Sequence, residues 1–149
     1  MPKITVILGP TASGKSAYAI TQALQSNAEI ISADAFQVYK EFNIGTGKLS
    51  MADMQGIPHH LIDCIHPETN YSMKQFLDDA THISSEITAR NKAVIICGGS
   101  AMYLKALLYN YQPLKRLPID QRPQGDAKAL WAQLYDIDPK LAEKTPYQN

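Results

Sequence analysis

Residues 4–16 read ITVILGPTASGKS, and this stretch decides the fold. Residues 4–9 are β-branched and aliphatic and close on a glycine, the pattern of a strand buried on both faces. Gly9, Pro10, Thr11, Ala12, Ser13, Gly14, Lys15 and Ser16 then satisfy the phosphate-loop pattern G-x-x-x-x-G-K-[ST], after a strand and at the opening of a helix. The glycines let successive backbone N–H groups wrap an oxyanion, and the helix N-terminus adds a positive dipole end. Lys15 offers a point charge to terminal phosphates and Ser16 a hydroxyl to Mg²⁺. An NTP is the default ligand of such a loop.

Working outward, Ala17, Ile20 and Leu24 at spacings of three and four predict a helix over 14–25. AEIISAD (28–34) reads as a second strand ending in a carboxylate. Residues 40–57 are mixed, with GTGK at 45–48 and a helical turn expected near SMADM. HHLID (59–63) reads as a short strand or an extended segment. A helix follows Pro67: Ser72 and Gln75 form a capping-box pattern, and Phe76, Leu77, Ala80, Ile83 and Ile87 mark its apolar face. KAVIICGG (92–99) is a third buried strand, and Leu104, Leu107, Leu108 and Tyr111 mark a helix starting near Ser100. Strands alternating with helices indicate a parallel α/β sheet. The character changes at 112–126, QPLKRLPIDQRPQGD, which has three prolines and reads as a linker. A helix is expected again over 127–136 and another near DPKLAEK.

Composition narrows the partners. The 149 residues are 45% hydrophobic and 19% charged, with fourteen basic and fourteen acidic side chains. A neutral chain has no global field that draws it to nucleic acid or anionic membrane, so any polyanion must be held by local geometry. Cys64 and Cys97 make no disulfide framework, and a reducing, cytoplasmic setting is expected. The N-terminus lacks a signal-peptide pattern, and no apolar stretch is long enough to span a bilayer, so no membrane role is expected.

Asp34 ends the second strand, where open α/β sheets place ligands. It fits three roles: magnesium ligand, general base, or cap of a turn. The Gly98-Gly99-Ser100 turn either offers N–H groups to an anion or is a tight strand–helix connection that needs glycine. His59, His60, Asp63, Cys64 and His66 lack the paired spacing of a structural zinc site and read as structural or solvated groups. Lys115, Arg116 and Arg122 form a modest basic group in the proline-rich loop.

Taken together, GPTASGKS, IISADAFQVYKEFNIGTGK, IPHHLIDCIHP, YSMKQFLDDA and GGSAMYLKALL, in that order, resemble the tRNA dimethylallyltransferase (tRNA isopentenyltransferase) family. The likeness is close over residues 4–111 and looser through LKRLPIDQR and ALWAQLYDIDPKLAEK. SADxxQVY…IGTGK and PHHLID set it apart from ordinary P-loop kinases. The resemblance implies a P-loop NTPase-like α/β fold, a parallel sheet flanked by helices. Residues 1–111 would form the catalytic core, and 112–149 a linker and the start of a helical tRNA-binding insertion.

It also implies the chemistry: transfer of a dimethylallyl group from dimethylallyl diphosphate to N6 of the adenosine 3′ of a tRNA anticodon. Gly9–Ser16 would then hold the diphosphate, with Ser16 toward Mg²⁺. Asp34 matches the carboxylate that faces the adenine amine, with Lys15 and Arg122 as further catalytic groups. Asp34, Ala35, Phe36, Gln37, Ser100 and Arg122 would contact tRNA at its anticodon stem-loop. Ser100 stands where the family has threonine, which keeps the hydroxyl. Family members continue well past PYQN, so the core is expected to be incomplete, with an exposed sheet edge that invites self-association and weak or no activity in this chain alone. Transfer to free AMP, ADP or ATP, and a non-catalytic diphosphate-binding remnant, are the alternatives.

Overall fold

The computed structural model describes residues 4–111, 121–145 and 147. Two compact units divide the chain, Met1–Pro113 and Leu114–Asn149. The first contains strands β1 (Ile4–Leu8), β2 (Ala28–Ser32), β3 (His59–His60) and β4 (Ala93–Gly98), with helices α1 (Lys15–Ser26), α2 (Met73–Ala89) and α3 (Ala101–Leu108). The strands form one parallel sheet in the order β1-β4-β2-β3. Fold class and element order follow the sequence expectation, and the expected turn near SMADM is a short segment closed by Met54 N–H on the Ser50 carbonyl at 3.1 Å.

Alternation along the strands splits the core between the two faces of the sheet. Ile30, Ile95 and Cys97 pack with Ala19, Ile20 and Ala23 of α1. Ile31, Val94 and Ile96 pack with Phe76, Ala80 and Ile87 of α2 and with Tyr103 and Leu104 of α3. The Phe76 and Tyr103 rings stack with centroids 4.4 Å apart. The capping box at Ser72 is present in full, its side chain accepting from Gln75 N–H while the Gln75 side chain accepts from Ser72 N–H.

One expectation needs correction. β1 is not buried on both faces: it pairs with β4 alone among the described residues, and Ile4 and Leu8 are 51% and 59% exposed. Its apolar sequence fits a central strand, yet it stands at an edge of this sheet.

In the second unit, α4 (Ala127–Ile137) and α5 (Pro139–Lys144) are capped by Asp126 and Asp138, which accept from Ala129 N–H and Leu141 N–H. Trp131 Nε1 donates to the Ala142 carbonyl at 2.9 Å, and its ring lies against Tyr135 and Tyr147. Lys115 and Arg116 of the basic group lie outside the described residues. No helix among the described residues is long and apolar enough to cross a membrane.

Candidate functional site

Parallel strands carry their following loops to one edge of the sheet, so the segments after β1, β2 and β4 meet there. After β1, the phosphate loop turns at Ala12 (φ 62°) and Gly14 (φ 79°), both left-handed, and enters α1 at Lys15. The first-turn N–H groups of α1 have no intrahelical acceptors and stay available to an anion. Lys15 Nζ donates to the Pro10 carbonyl at 3.1 Å, within the loop.

The turn after β4 is set by a contact that only glycine permits. A Cβ on Gly98 would lie 2.1 Å from the Ala33 carbonyl oxygen. Ala33 N–H donates to the Cys97 carbonyl at 2.8 Å, and the Ala33 carbonyl accepts from Ser100 N–H at 3.2 Å. Gly99 in turn lies beside the phosphate loop: a Cβ there would stand 3.7 Å from the Gly9 carbonyl and 3.9 Å from Lys15 Nζ. Both readings of this turn therefore have a basis, since the glycines are sterically needed and also adjoin Lys15. The Ser100 side chain makes no capping hydrogen bond to α3.

Asp34 follows β2. Its Oδ1 accepts from Phe36 N–H at 2.9 Å and Gln37 N–H at 3.3 Å, an Asx-type turn. Its Oδ2 has no hydrogen-bond partner among the described residues. Turn capping thus uses one oxygen of the carboxylate and leaves the other without a partner among the described residues. Asp34 shares a cleft of about 400 Å³ with Thr11, Ala12, Ser13, Gly14, Lys15 and Ser16, and with Gln37, Thr46, Gly47 and Leu49.

The neighbours of Asp34 divide three ways. Ala35 packs against the core, whereas Phe36 is 62% exposed. Gln37 spends its amide inside the protein: Oε1 accepts from Ser32 Oγ at 3.1 Å, and Nε2 donates to the Thr46 and Gly47 carbonyls at 3.1 and 3.3 Å. Arg122 belongs to the second unit, where its carbonyl accepts from Gln124 Nε2 at 3.2 Å.

The histidine-rich segment disperses onto separate partners. His60 Nε2 lies 2.7 Å from Glu29 Oε2, His59 Nδ1 lies 2.8 Å from the Ile57 carbonyl, and Lys40 Nζ lies 3.2 Å from His66 Nε2. Burial lowers the His59 pKa, against the Ile57 carbonyl, which raises it. Burial raises the Cys64 thiol, with the nearby Asp79 charge acting in the same direction. Asp63 pairs with Lys48. That pair, the Thr46–Gly47 wall and the inward use of Gln37 escape a sequence reading, because each joins positions nine to fifteen residues apart. The one available signal was GTGK itself, a lysine directly after Gly47 and three residues past Gly45.

A sequence model of the family described as IPP transferase matches residues 37–149. A tRNA dimethylallyltransferase of Staphylococcus aureus (strain JH9) is 49% identical over 111 residues, which cover 74% of this chain and 36% of that protein. The crystal structure of a full-length tRNA isopentenylpyrophosphate transferase from Bacillus halodurans superposes with a TM-score of 0.75 at 34% identity, over 100% of this chain and 52% of that one. A eukaryotic dimethylallyltransferase, in crystallographic snapshots of its action on tRNA, reaches a TM-score of 0.85 at 29% identity, over 99% of this chain and 38% of that one. The chain spans roughly a third to a half of the length of these relatives. With a family match over residues 37–149 and a relative 49% identical across 74% of this chain, the chain belongs to the IPP transferase family.

Proposed function

We propose that this chain carries the phosphate-loop portion of a tRNA dimethylallyltransferase, moving a dimethylallyl group from its diphosphate to N6 of the adenosine 3′ of the anticodon. The observation that supports this most directly is the shared cleft: a phosphate loop and a carboxylate with one unengaged oxygen line the same space. Transfer to an adenine amine needs a proton acceptor beside the diphosphate, and Asp34 is placed in the cleft to supply one.

In this reading the diphosphate rests on Gly9–Ser16. The N6 lone pair is delocalised into the adenine ring and attacks the allylic carbon poorly unless its proton can leave. As the N6–C bond forms and the C–O bond to diphosphate breaks, Asp34 Oδ2 takes the N6 proton. Lys15 and the loop N–H groups offset the charge that gathers on the departing diphosphate. Phe36, exposed next to Asp34, offers a ring on which a base drawn out of its stack can lie. The target is thereby held by a shaped pocket, which suits a chain without net charge. Ser100 would contact the RNA backbone or the diphosphate through its hydroxyl.

The Ser16 hydroxyl gives the cleft an oxygen donor which, with diphosphate oxygens, suits Mg²⁺. When bound, the ion would neutralise part of the diphosphate charge.

A second copy of the chain is the proposed occupant of the open β1 edge. Its groove is lined by Ile4, Val6, Ile96, Leu107 and Leu108 with Thr81 and Ser84, without a charged side chain to repel an identical surface.

Labelled dimethylallyl diphosphate and Mg²⁺, offered with unmodified tRNA, AMP or ATP in parallel, test the reaction. Weak labelling of tRNA is expected from this chain alone, and Asp34→Ala is expected to lower that rate by about 10²-fold or more. Label on AMP or ATP alone would move the acceptor to free adenylate. Consumption of ATP without prenyl transfer would overturn the reading, and intact turnover in Asp34→Ala would remove the general base.

A further inference from the structure

Lys48 is the most enclosed cation near the cleft, its side chain 4% exposed. It directly follows Gly47 (φ 63°) and lies three residues after Gly45 (φ 83°), two left-handed positions that let the chain double back. A lysine ammonium has three donors and no acceptor. Here it meets three oxygens: the Tyr39 carbonyl at 2.7 Å, Asn43 Oδ1 at 3.2 Å and Asp63 Oδ1 at 2.5 Å. These come from the start of the loop, from its middle, and from the segment after β3. One ammonium therefore ties the loop 39–48 to a second stretch of chain.

That second stretch is itself fixed. Asp63 N–H donates to the Gln37 carbonyl at 3.1 Å, Cys64 and Ile65 N–H donate to the Val38 carbonyl, and Lys40 N–H donates to the Ile65 carbonyl. The residues just before Lys48 lie on the cleft, and the Thr46 and Gly47 carbonyls are the acceptors that hold the Gln37 amide. Gln37 in turn supplies one of the two N–H groups on Asp34 Oδ1. The line runs from Asp63 through Lys48 to the Thr46–Gly47 wall, then through Gln37 to the carboxylate.

We propose that Lys48, anchored by Asp63, is a positioning residue of the cleft: it sets the Thr46–Gly47 wall and, through Gln37, the aim of Asp34, without touching the diphosphate. This rests on the prenyl-transfer reading for its catalytic consequence, but not for the geometry of the loop. The phosphate loop takes no part in the clamp, so diphosphate affinity and turnover separate when the clamp is cut.

The test compares the chain with Lys48→Met, which keeps length and loses all three donors, and with Asp63→Asn, which keeps an acceptor and loses the charge. Three quantities are read: affinity for inorganic pyrophosphate, kcat and KM for prenyl transfer, and amide hydrogen exchange. Lys48→Met is expected to lower kcat by about 10–100-fold, as loss of a supporting partner does, with a smaller fall in Asp63→Asn. Pyrophosphate affinity is expected to stay within about threefold, since backbone N–H groups and Lys15 carry it. Exchange is expected to accelerate at least about tenfold over residues 43–48 and to stay unchanged in β4. Unchanged kcat in Lys48→Met overturns the proposal, and so does a parallel loss of pyrophosphate affinity, which would mean direct contact or general unfolding. If the parent chain shows no prenyl transfer to any adenine acceptor, the functional reading fails separately. Exchange then decides the clamp: acceleration confined to 43–48 upholds it, and unchanged exchange there refutes it.

Discussion

At Gly98 a single hydrogen atom separates a working site from a clash. The Ala33 carbonyl would sit 2.1 Å from any Cβ at this position, and both partners are backbone, which cannot swing away as a side chain can. The contact also fixes Ser100 and the start of α3 beside the residue preceding Asp34. Gly98→Ala is expected to destabilise the chain by about 3 kcal/mol, as overpacking of a tight interior does, read as a lower midpoint in urea unfolding. Gly9 is a milder case, because the nearest obstacle to a Cβ there is the Ser13 hydroxyl, at 2.8 Å and on a side chain that can rotate. The residue scale was partly legible. The phosphate loop announces itself by pattern, and Asp34 by its place after a strand. The turn that occupies one Asp34 oxygen is local and was among the roles read for it, whereas the inward bonds of Gln37 to Thr46 and Gly47 span nine and ten residues, which no local spacing encodes.

At the scale of elements, Glu29 on β2 joins parts of the fold that the sequence keeps far apart. Its carboxylate meets His60 of β3 at 2.7 Å, Arg90 at the end of α2 at 2.8 Å and Lys92 before β4 at 3.0 Å. Burial alone would raise its pKa, but the hydrogen bonds from His60, Lys92 and Arg90 outweigh this and hold it at about 2, below the ordinary carboxyl value of 4.5. A carboxyl depressed on folding contributes stability above its unfolded pKa and loses it as pH falls through the folded one. Stability is therefore expected to decline between about pH 4.5 and pH 2, and Glu29→Gln should flatten that decline while costing about 2 kcal/mol at neutral pH. Chemical denaturation across this pH range in both proteins checks it. The helices themselves were legible, α2 above all, because capping and amphipathic spacing are local, although α3 ends at Leu108, short of the expected Tyr111. This ion-pair cluster was not, since its members lie 31 and 61 residues from Glu29 or meet it only through sheet pairing.

At the scale of the whole molecule, the proposed self-association belongs to the β1 edge, which pairs with β4 alone among the described residues. An apolar edge strand offers unpaired backbone groups to any matching strand, and proteins usually cover or charge such edges. Val6→Lys places a charge in the groove beside β1. Concentration-dependent self-association by sedimentation velocity is expected for the parent chain and should weaken by about tenfold or more in Val6→Lys, since a buried unpaired charge is costly. A parent chain that stays monomeric at high concentration would remove the second copy from this edge.

The sequence by itself determined the phosphate loop, the alternation of strands and helices, the capping of α2 and the family, because these are written in short spacings and motifs. Only the tertiary structure decided that β1 is an edge, that Gln37 is spent inside the protein, and that Lys48 and Asp63 clamp the wall facing the loop. The physical reason is range. Propensity and periodicity act over a few residues, whereas ion pairs, backbone clashes and sheet order depend on which distant segments the folded chain brings within a few ångströms.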